Sequence, residues 1–142
     1  MARTCRQVRA VPVVLTLAVL VACGAASPGL RTDLPGEAMV RTELYMGAAR
    51  PGGGEVTDEE WKRFLDDSVT PLFADGLTVV AASGQWKNSG GDIIHERTRI
   101  LVLVHPKSAE ADGKVDRIVN AYRQRFQQES VMRLTAPTSA SF

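Results

Sequence analysis

A chain of 142 residues has room for one modest domain. With 17 basic against 16 acidic side chains, its formal charge of +1 excludes the strongly basic surface of a nucleic-acid binder. Two cysteines are too few for a disulfide framework.

The first residues bear on location. Arg3, Arg6 and Arg9 make a basic start, and Val11 to Val21 is an apolar run too short to span a bilayer permanently. Residues 1–22 are therefore expected to be a secretory signal peptide. Leu20-Val21-Ala22-Cys23 is similar to the lipobox of bacterial lipoproteins. That resemblance implies that Cys23 carries lipid, so that the chain is exported and anchored to a membrane of the bacterial cell envelope. The alternative is ordinary cleavage after Ala26, with Cys23 discarded. On the lipidated reading Cys5 leaves with the signal, and no free thiol remains for catalysis or metal binding. Three arginines leave too, taking the basic residues from 17 to 14 against 16 acidic ones, a formal −2. The Gly-, Pro- and Ala-rich stretch after the cysteine predicts a tether over residues 23–39 and a single folded domain over 40–142.

Within that domain the signals are local. Arg41 to Met46 predicts a strand with Leu44 and Met46 on one face, Glu43 and Tyr45 on the other. Gly47 to Gly54 reads as a loop, lacking the Lys-Ser/Thr of a Walker motif. Thr57-Asp58-Glu59-Glu60 has capping-box form, and Trp61, Phe64, Leu65 and Val69 follow at helical spacing until Thr70-Pro71. Leu77 to Lys87 and Ile93 to Val104, joined by the polar turn NSGGD, predict a β-hairpin. Ser108 is a candidate N-cap for a second helix striped by Val115, Ile118, Val119, Tyr122 and Phe126, its first turn loosened by Gly113. Ser130 to Thr135 is a last short strand, with a tail that either extends the edge or stays loose.

The order β-α-β-β-α-β predicts an α+β ferredoxin-like sandwich: two helices on one face of an antiparallel sheet of spatial order 4-1-3-2. In the third strand Ile100, Val102 and Val104 alternate with Arg97, Arg99, Leu101 and Leu103. Placing the second set on the helix-free face leaves Leu101, Leu103 and Val131 in need of cover. A homodimer stacked sheet to sheet would supply it; the tail folding over the face is the alternative.

The same assignment gathers Glu43, Tyr45, Gln85, Trp86, His95, Arg97, Arg99 and Arg133 as ligand-binding candidates on the helix-free face. The arginines suit an anionic ligand, and Tyr45 and His95 could move protons. Cross-strand pairing of Glu43 with Arg99 or Arg133 is the structural alternative. No metal site is expected, because His95 and His105 stand ten apart without Cys or an acidic ligand string. No cofactor motif is present, no GxSxG surrounds Ser83 or Ser130, and Trp61, Phe64 and Phe126 read as core.

Several motifs agree in order with one family. Glu43-Leu44-Tyr45-Met46-Gly47, Trp61 with Phe64-Leu65, Val69-Thr70-Pro71, Gly76-Leu77-Thr78-Val79, Gly84-Gln85-Trp86, and Tyr122 through Arg125-Phe126-Gln127-Gln128-Glu129-Ser130-Val131 resemble the bacterial domain-of-unknown-function family 3574. It comprises small exported proteins and lipoproteins. The chain departs from the family pattern at Met46, where an aromatic is usual, and at Leu72, where Arg is usual. The resemblance implies an exported single domain and no assigned activity. Its polar motif positions fall on Glu43, Tyr45, Gln85, Trp86, Gln128 and Glu129, and an Arg125–Glu129 pair at the helix exit would account for the last. The expectation is a non-catalytic, lipid-anchored binding or interaction module. The rivals are a structural envelope protein that docks a partner, or a cofactor-free isomerase, lyase or oxygenase with a sheet-face pocket.

Overall fold

The computed structural model describes residues 35–142, which belong to one compact unit. The expected signal peptide, Cys23 and most of the tether lie outside the described residues. The elements run β1 (Glu37–Gly47), α1 (Asp58–Phe64) continuing into a π-helical turn (Leu65–Val69), β2 (Thr78–Lys87), β3 (Ile93–His105), α2 (Ala109–Phe126) and β4 (Met132–Ala140). The four strands form one antiparallel sheet, β2-β3-β1-β4. This is the expected ferredoxin-like order seen from its other edge.

The local signals explain the elements. Thr57 and Glu60 close a reciprocal capping box, the Thr57 hydroxyl accepting from Glu60 N and the Glu60 carboxylate from Thr57 N. Ser108 caps α2 by accepting from Ala111 N at 3.1 Å. Gly113 does not interrupt that helix, which runs unbroken from Ala109. The hairpin turn closes through Asn88 N to Asp92 O at 2.9 Å, with Gly91 at a φ of 95° that other residues rarely adopt.

Both outer ends of the sheet are longer than the periodicity indicates. β1 begins at Glu37, because Glu37, Ala38 and Met39 pair with Ala140, Ser139 and Thr138. The tail thus extends the edge strand β4, and Pro137 is tolerated there because an edge strand can dispense with one ladder donor.

The core lies between the sheet and the two helices. Leu44, Met46, Leu101 and Leu103 from the sheet meet Phe64, Val69, Val115, Ile118 and Tyr122, all 0% exposed. Phe64, Tyr122 and Phe126 contact edge to face, with ring centroids 4.9–5.9 Å apart.

Leu101 and Leu103 therefore sit beneath the protein's own helices, against expectation, and partly buried Val131 packs against the same core. Cross-strand partners share a face. Leu44 opposes Leu101, Thr42 opposes Leu103 and Met46 opposes Arg99, so the whole odd-numbered row of β3 faces the helices. Ile100, Val102 and Val104 occupy the helix-free face instead.

Tyr122 donates its hydroxyl to Gly47 O at 2.9 Å from inside this core. Burial raises the phenol pKa above its ordinary value. A raised folded-state pKa means stability that is intact below the unfolded value of about 10 and declines as pH climbs past it. In Tyr122→Phe, chemical denaturation should show about 1 kcal/mol lost at neutral pH and a flatter decline above about pH 10.

Candidate functional site

On the helix-free face the sheet is hollowed into a trough of about 420 Å³. Its floor is Tyr45 and Gly47 of β1, Glu96, Thr98 and Ile100 of β3, and Ala82, Gly84 and Trp86 of β2. Gln128, Ser130 and Met132, where α2 leads into β4, raise a wall at one side.

Two glycines make the hollow. A Cβ on Gly84 would stand 3.0 Å from Thr98 Oγ1, so a side chain there would crowd the floor. A Cβ on Gly47 would lie 2.2–2.4 Å from the Glu96 carboxyl group. Gly47 thus allows Glu96 to cross β1 and accept from Ala49 N at 2.8 Å through Oε2. Gln128 is fixed in the same corner, its amide donating to Ala49 O at 2.7 Å and Phe126 O at 3.3 Å. With its NH₂ spent on backbone carbonyls, Gln128 keeps a carbonyl oxygen as acceptor. The trough therefore combines an indole, a phenol and aliphatic walls with acceptors from Glu96 and Gln128.

The sequence candidates divide between the two faces. Tyr45 and Trp86 line the trough, and Gln85 reaches its rim although its register with His95 assigns it to the opposite face. Glu43 is next to Tyr45 on the helix-free face, accepting from Tyr45 Oη at 2.9 Å and from Arg41 Nε at 2.8 Å. Those two bonds hold the Glu43 carboxyl below its usual range, and the bond from Tyr45 raises the phenol above its own.

His95, Arg97, Arg99 and Arg133 do not join the trough; their register puts them on the helix side. Arg99 is 9% exposed, ion-pairs with Asp58, and lies over the Trp61 ring at 5.2 Å. Arg97 bonds to Glu55 at 2.7 Å, and Arg133 reaches Asp112 at 2.6 Å and Asp116 at 3.1 Å on α2. The anion-binding cluster expected from these arginines is therefore not assembled, and neither is the alternative pairing of Arg99 or Arg133 with Glu43. Each of the three is matched to carboxylates of the chain itself. At the helix exit, Arg125 pairs with Asp67 at 3.1 Å rather than with Glu129, whose carboxylate accepts from Ser89 on the hairpin turn. The αL conformation of Gln127 ends α2 and turns Glu129 away.

Glu96 and Thr98 escaped the sequence reading. Glu96 stands among charged residues at an ordinary alternating position, and only its contact with Gly47 and Ala49 distinguishes it. Among the described residues no group of three or more His, Cys, Asp or Glu is placed to hold a metal ion. No helix among them is long and apolar enough to cross a membrane.

Gly47→Ala tests the corner. The carboxyl end of Glu96 is flexible and can swing aside, so the stability loss should stay at about 1 kcal/mol. The displaced carboxylate must leave Ala49 N, and any compound that the trough takes should bind at least tenfold more weakly. Calorimetric titration beside thermal melts separates the two effects.

Fold and trough together define a ferredoxin-like α+β sandwich with a concave, helix-free sheet face. The chain belongs to the family described as Protein of unknown function (DUF3574), whose profile matches residues 41–142. A search of curated proteins found no match. Among solved structures it is similar to a phage SAM lyase in complex with S-methyl-5'-thioadenosine, at 18% identity and a TM-score of 0.58. That match covers 79% of this chain and 97% of the lyase. The apo state of a phage SAM lyase matches at 16% and 0.55, covering 78% and 96%. CutA1 from Oryza sativa matches at 8% and 0.50, covering 74% and 84%. At such identities these likenesses establish the fold.

Proposed function

We propose that this protein is a non-catalytic, lipid-anchored binding module of the bacterial cell envelope, taking a small ligand into the sheet-face trough. The ligand is a flat heteroaromatic group carrying amino or other donor substituents. Its ring would lie against Trp86, and its donors would meet Glu96 and the Gln128 carbonyl. The observation that carries this reading is the trough itself: acceptors held in place by Gly47 and Ala49 beside an indole.

Tyr45 and Glu43 argue for binding over catalysis. At neutral pH the phenol keeps its proton and donates it to an ionised Glu43, which is already engaged by Arg41. A general base needs a pKa near the working pH, and both members of this pair are shifted away from neutrality, Glu43 downward and Tyr45 upward. Anchoring through Cys23 would place the module at a membrane surface, on the strength of the lipobox-like sequence.

Because the phage SAM lyase is recorded with S-methyl-5'-thioadenosine, that nucleoside is the first probe, with adenine and other amino-substituted heteroaromatics beside it. Binding should quench or shift tryptophan fluorescence, vanish in Trp86→Leu and weaken at least tenfold in Glu96→Gln. If no compound in the panel changes fluorescence or melting temperature at millimolar concentration, the reading is wrong. Consumption of the probe would move it to the enzyme class.

A further inference from the structure

The floor of the trough holds a polar group with no task in the protein itself. Thr98, between Gly47 of β1 and Ala82 of β2, is 9% exposed. Its hydroxyl lines the trough and has no hydrogen-bond partner among the described residues. Buried hydroxyls are ordinarily bonded, because removing one from water without a partner is unfavourable. The direction of this one follows from its neighbours. Thr98 Oγ1 is 3.0 Å, and Thr98 Cβ 4.0 Å, from the point where a side chain on Gly84 would begin. The methyl group is farther off, so the hydroxyl is what turns into the space that Gly84 leaves, on the β2 side of β3. Glu96, two residues away on the same face, reaches the other way, past Gly47 to Ala49 N.

We propose that Thr98 is a specificity-determining residue of the trough, its hydroxyl donating to a hydrogen-bond acceptor in the ligand's ring. The inference rests on the ligand class proposed for the trough and narrows it. Glu96 and the Gln128 carbonyl oxygen can only accept, and Tyr45 spends its proton on Glu43. The Thr98 hydroxyl has a proton to give and can rotate to aim it.

Because the two side chains leave β3 in opposite directions, the ligand presents its amino donors toward β1 and a ring acceptor toward β2. The class shrinks from any aminated heteroaromatic to one whose ring acceptor lies on the edge away from its amino group. Adenine has this pattern, with the amino group and N3 on opposite edges of one ring. A site built to hydrogen-bond a ligand rejects the analogue lacking that group, since its own buried polar atom is then left unpaired. Thr98 would therefore discriminate by the ring nitrogen, whereas Trp86 would hold any flat ring of similar size.

The test is calorimetric titration of the full-length protein in detergent with three probes. They are adenine, 3-deazaadenine, in which N3 is replaced by CH, and 7-deazaadenine, which keeps N3. The wild type should bind 3-deazaadenine about tenfold more weakly than adenine, and 7-deazaadenine nearly as well as adenine. Thr98→Val keeps the shape of the side chain without the hydroxyl. It should weaken adenine binding about tenfold and leave 3-deazaadenine unchanged, a split that a merely structural role would not produce. Thr98→Ser keeps the hydroxyl and should retain the wild-type preference, with thermal melts confirming that each variant is folded. A wild type that binds adenine and 3-deazaadenine alike overturns the inference, as do equal losses for the two in Thr98→Val. In either case adenine still binds, so the proposed function stands; a wild type that binds no compound of the wider panel overturns both.

Discussion

Phe64→Ala should remove about 3–5 kcal/mol of stability, read as a fall in the denaturant midpoint at unchanged slope. Domains of this size have about 5–15 kcal/mol in total, so the loss removes a large fraction of the margin that keeps the protein folded. Phe64 is the hub of the aromatic cluster. Its ring contacts Trp61 at 5.7 Å, Tyr122 at 5.1 Å and Phe126 at 5.9 Å, tying α1 to α2. No neighbour is placed to refill the space, since Leu44, Met46 and Val69 are already fully buried. The position also precedes the π-helical turn, closed by Thr70 N to Leu65 O at 2.9 Å. Phe64 and Val69 are five residues apart and both 0% exposed. An α-helix would point them in different directions, and the wider turn brings both to the core. Phe64→Leu keeps most of the apolar volume and should cost less than half as much, which separates cavity formation from a failed turn.

That turn illustrates what was legible in the sequence. Helix starts and the hairpin follow from contacts within a few residues, Thr57 with Glu60, Ser108 with Ala111, Asn88 with Asp92, and the strand order follows from the β-α-β-β-α-β succession, for which the ferredoxin-like sandwich is the simplest fold. The π-helical turn does not, because Leu65 to Val69 also fits an α-helix until Phe64 and Val69 must share one core. The face of β3 was ambiguous for a similar reason. Both of its alternating rows are apolar, so periodicity could not orient it, and Arg97 and Arg99 made the odd row look like the outer one. Their partners Glu55 and Asp58 are some forty residues away on the approach to α1. An arginine with a long aliphatic stem can sit on a core-facing row when a carboxylate waits at the edge. Arg133 repeats the pattern with Asp112 and Asp116. His95, Arg97 and Arg99 therefore left the helix-free face together with the odd row of β3, and Arg133 left it through its own register with Leu44. Glu43 and Tyr45 kept their face because β1 was oriented by its own alternation, whereas of the adjacent Gln85 and Trp86 only one could share it.

The inward row leads to an asymmetric pair of substitutions. Asp58→Ala should destabilise the protein by about 2 kcal/mol, whereas Arg99→Met should change stability by less than about 1 kcal/mol. Arg99 is 9% exposed, one of its terminal nitrogens has no hydrogen-bond partner among the described residues, and it ion-pairs with Asp58. Removing that carboxylate strands a desolvated cation. The usual 3–5 kcal/mol for such a loss is reduced to about 2 here because Asp58 is 77% exposed and water reaches the pair. Asp58 also stands in the first turn of α1, where a negative charge favours the helix. Deleting the arginine has a different consequence. Asp58 is left in water and still within 3.9 Å of Arg97, and a methionine stem can retain the packing against Trp61. Equilibrium unfolding in urea measures both variants, and in the double variant the loss at Asp58 should shrink, since no buried cation remains to be stranded. Equal losses in the two single variants would mean that Arg99 contributes as a charge rather than as a stem.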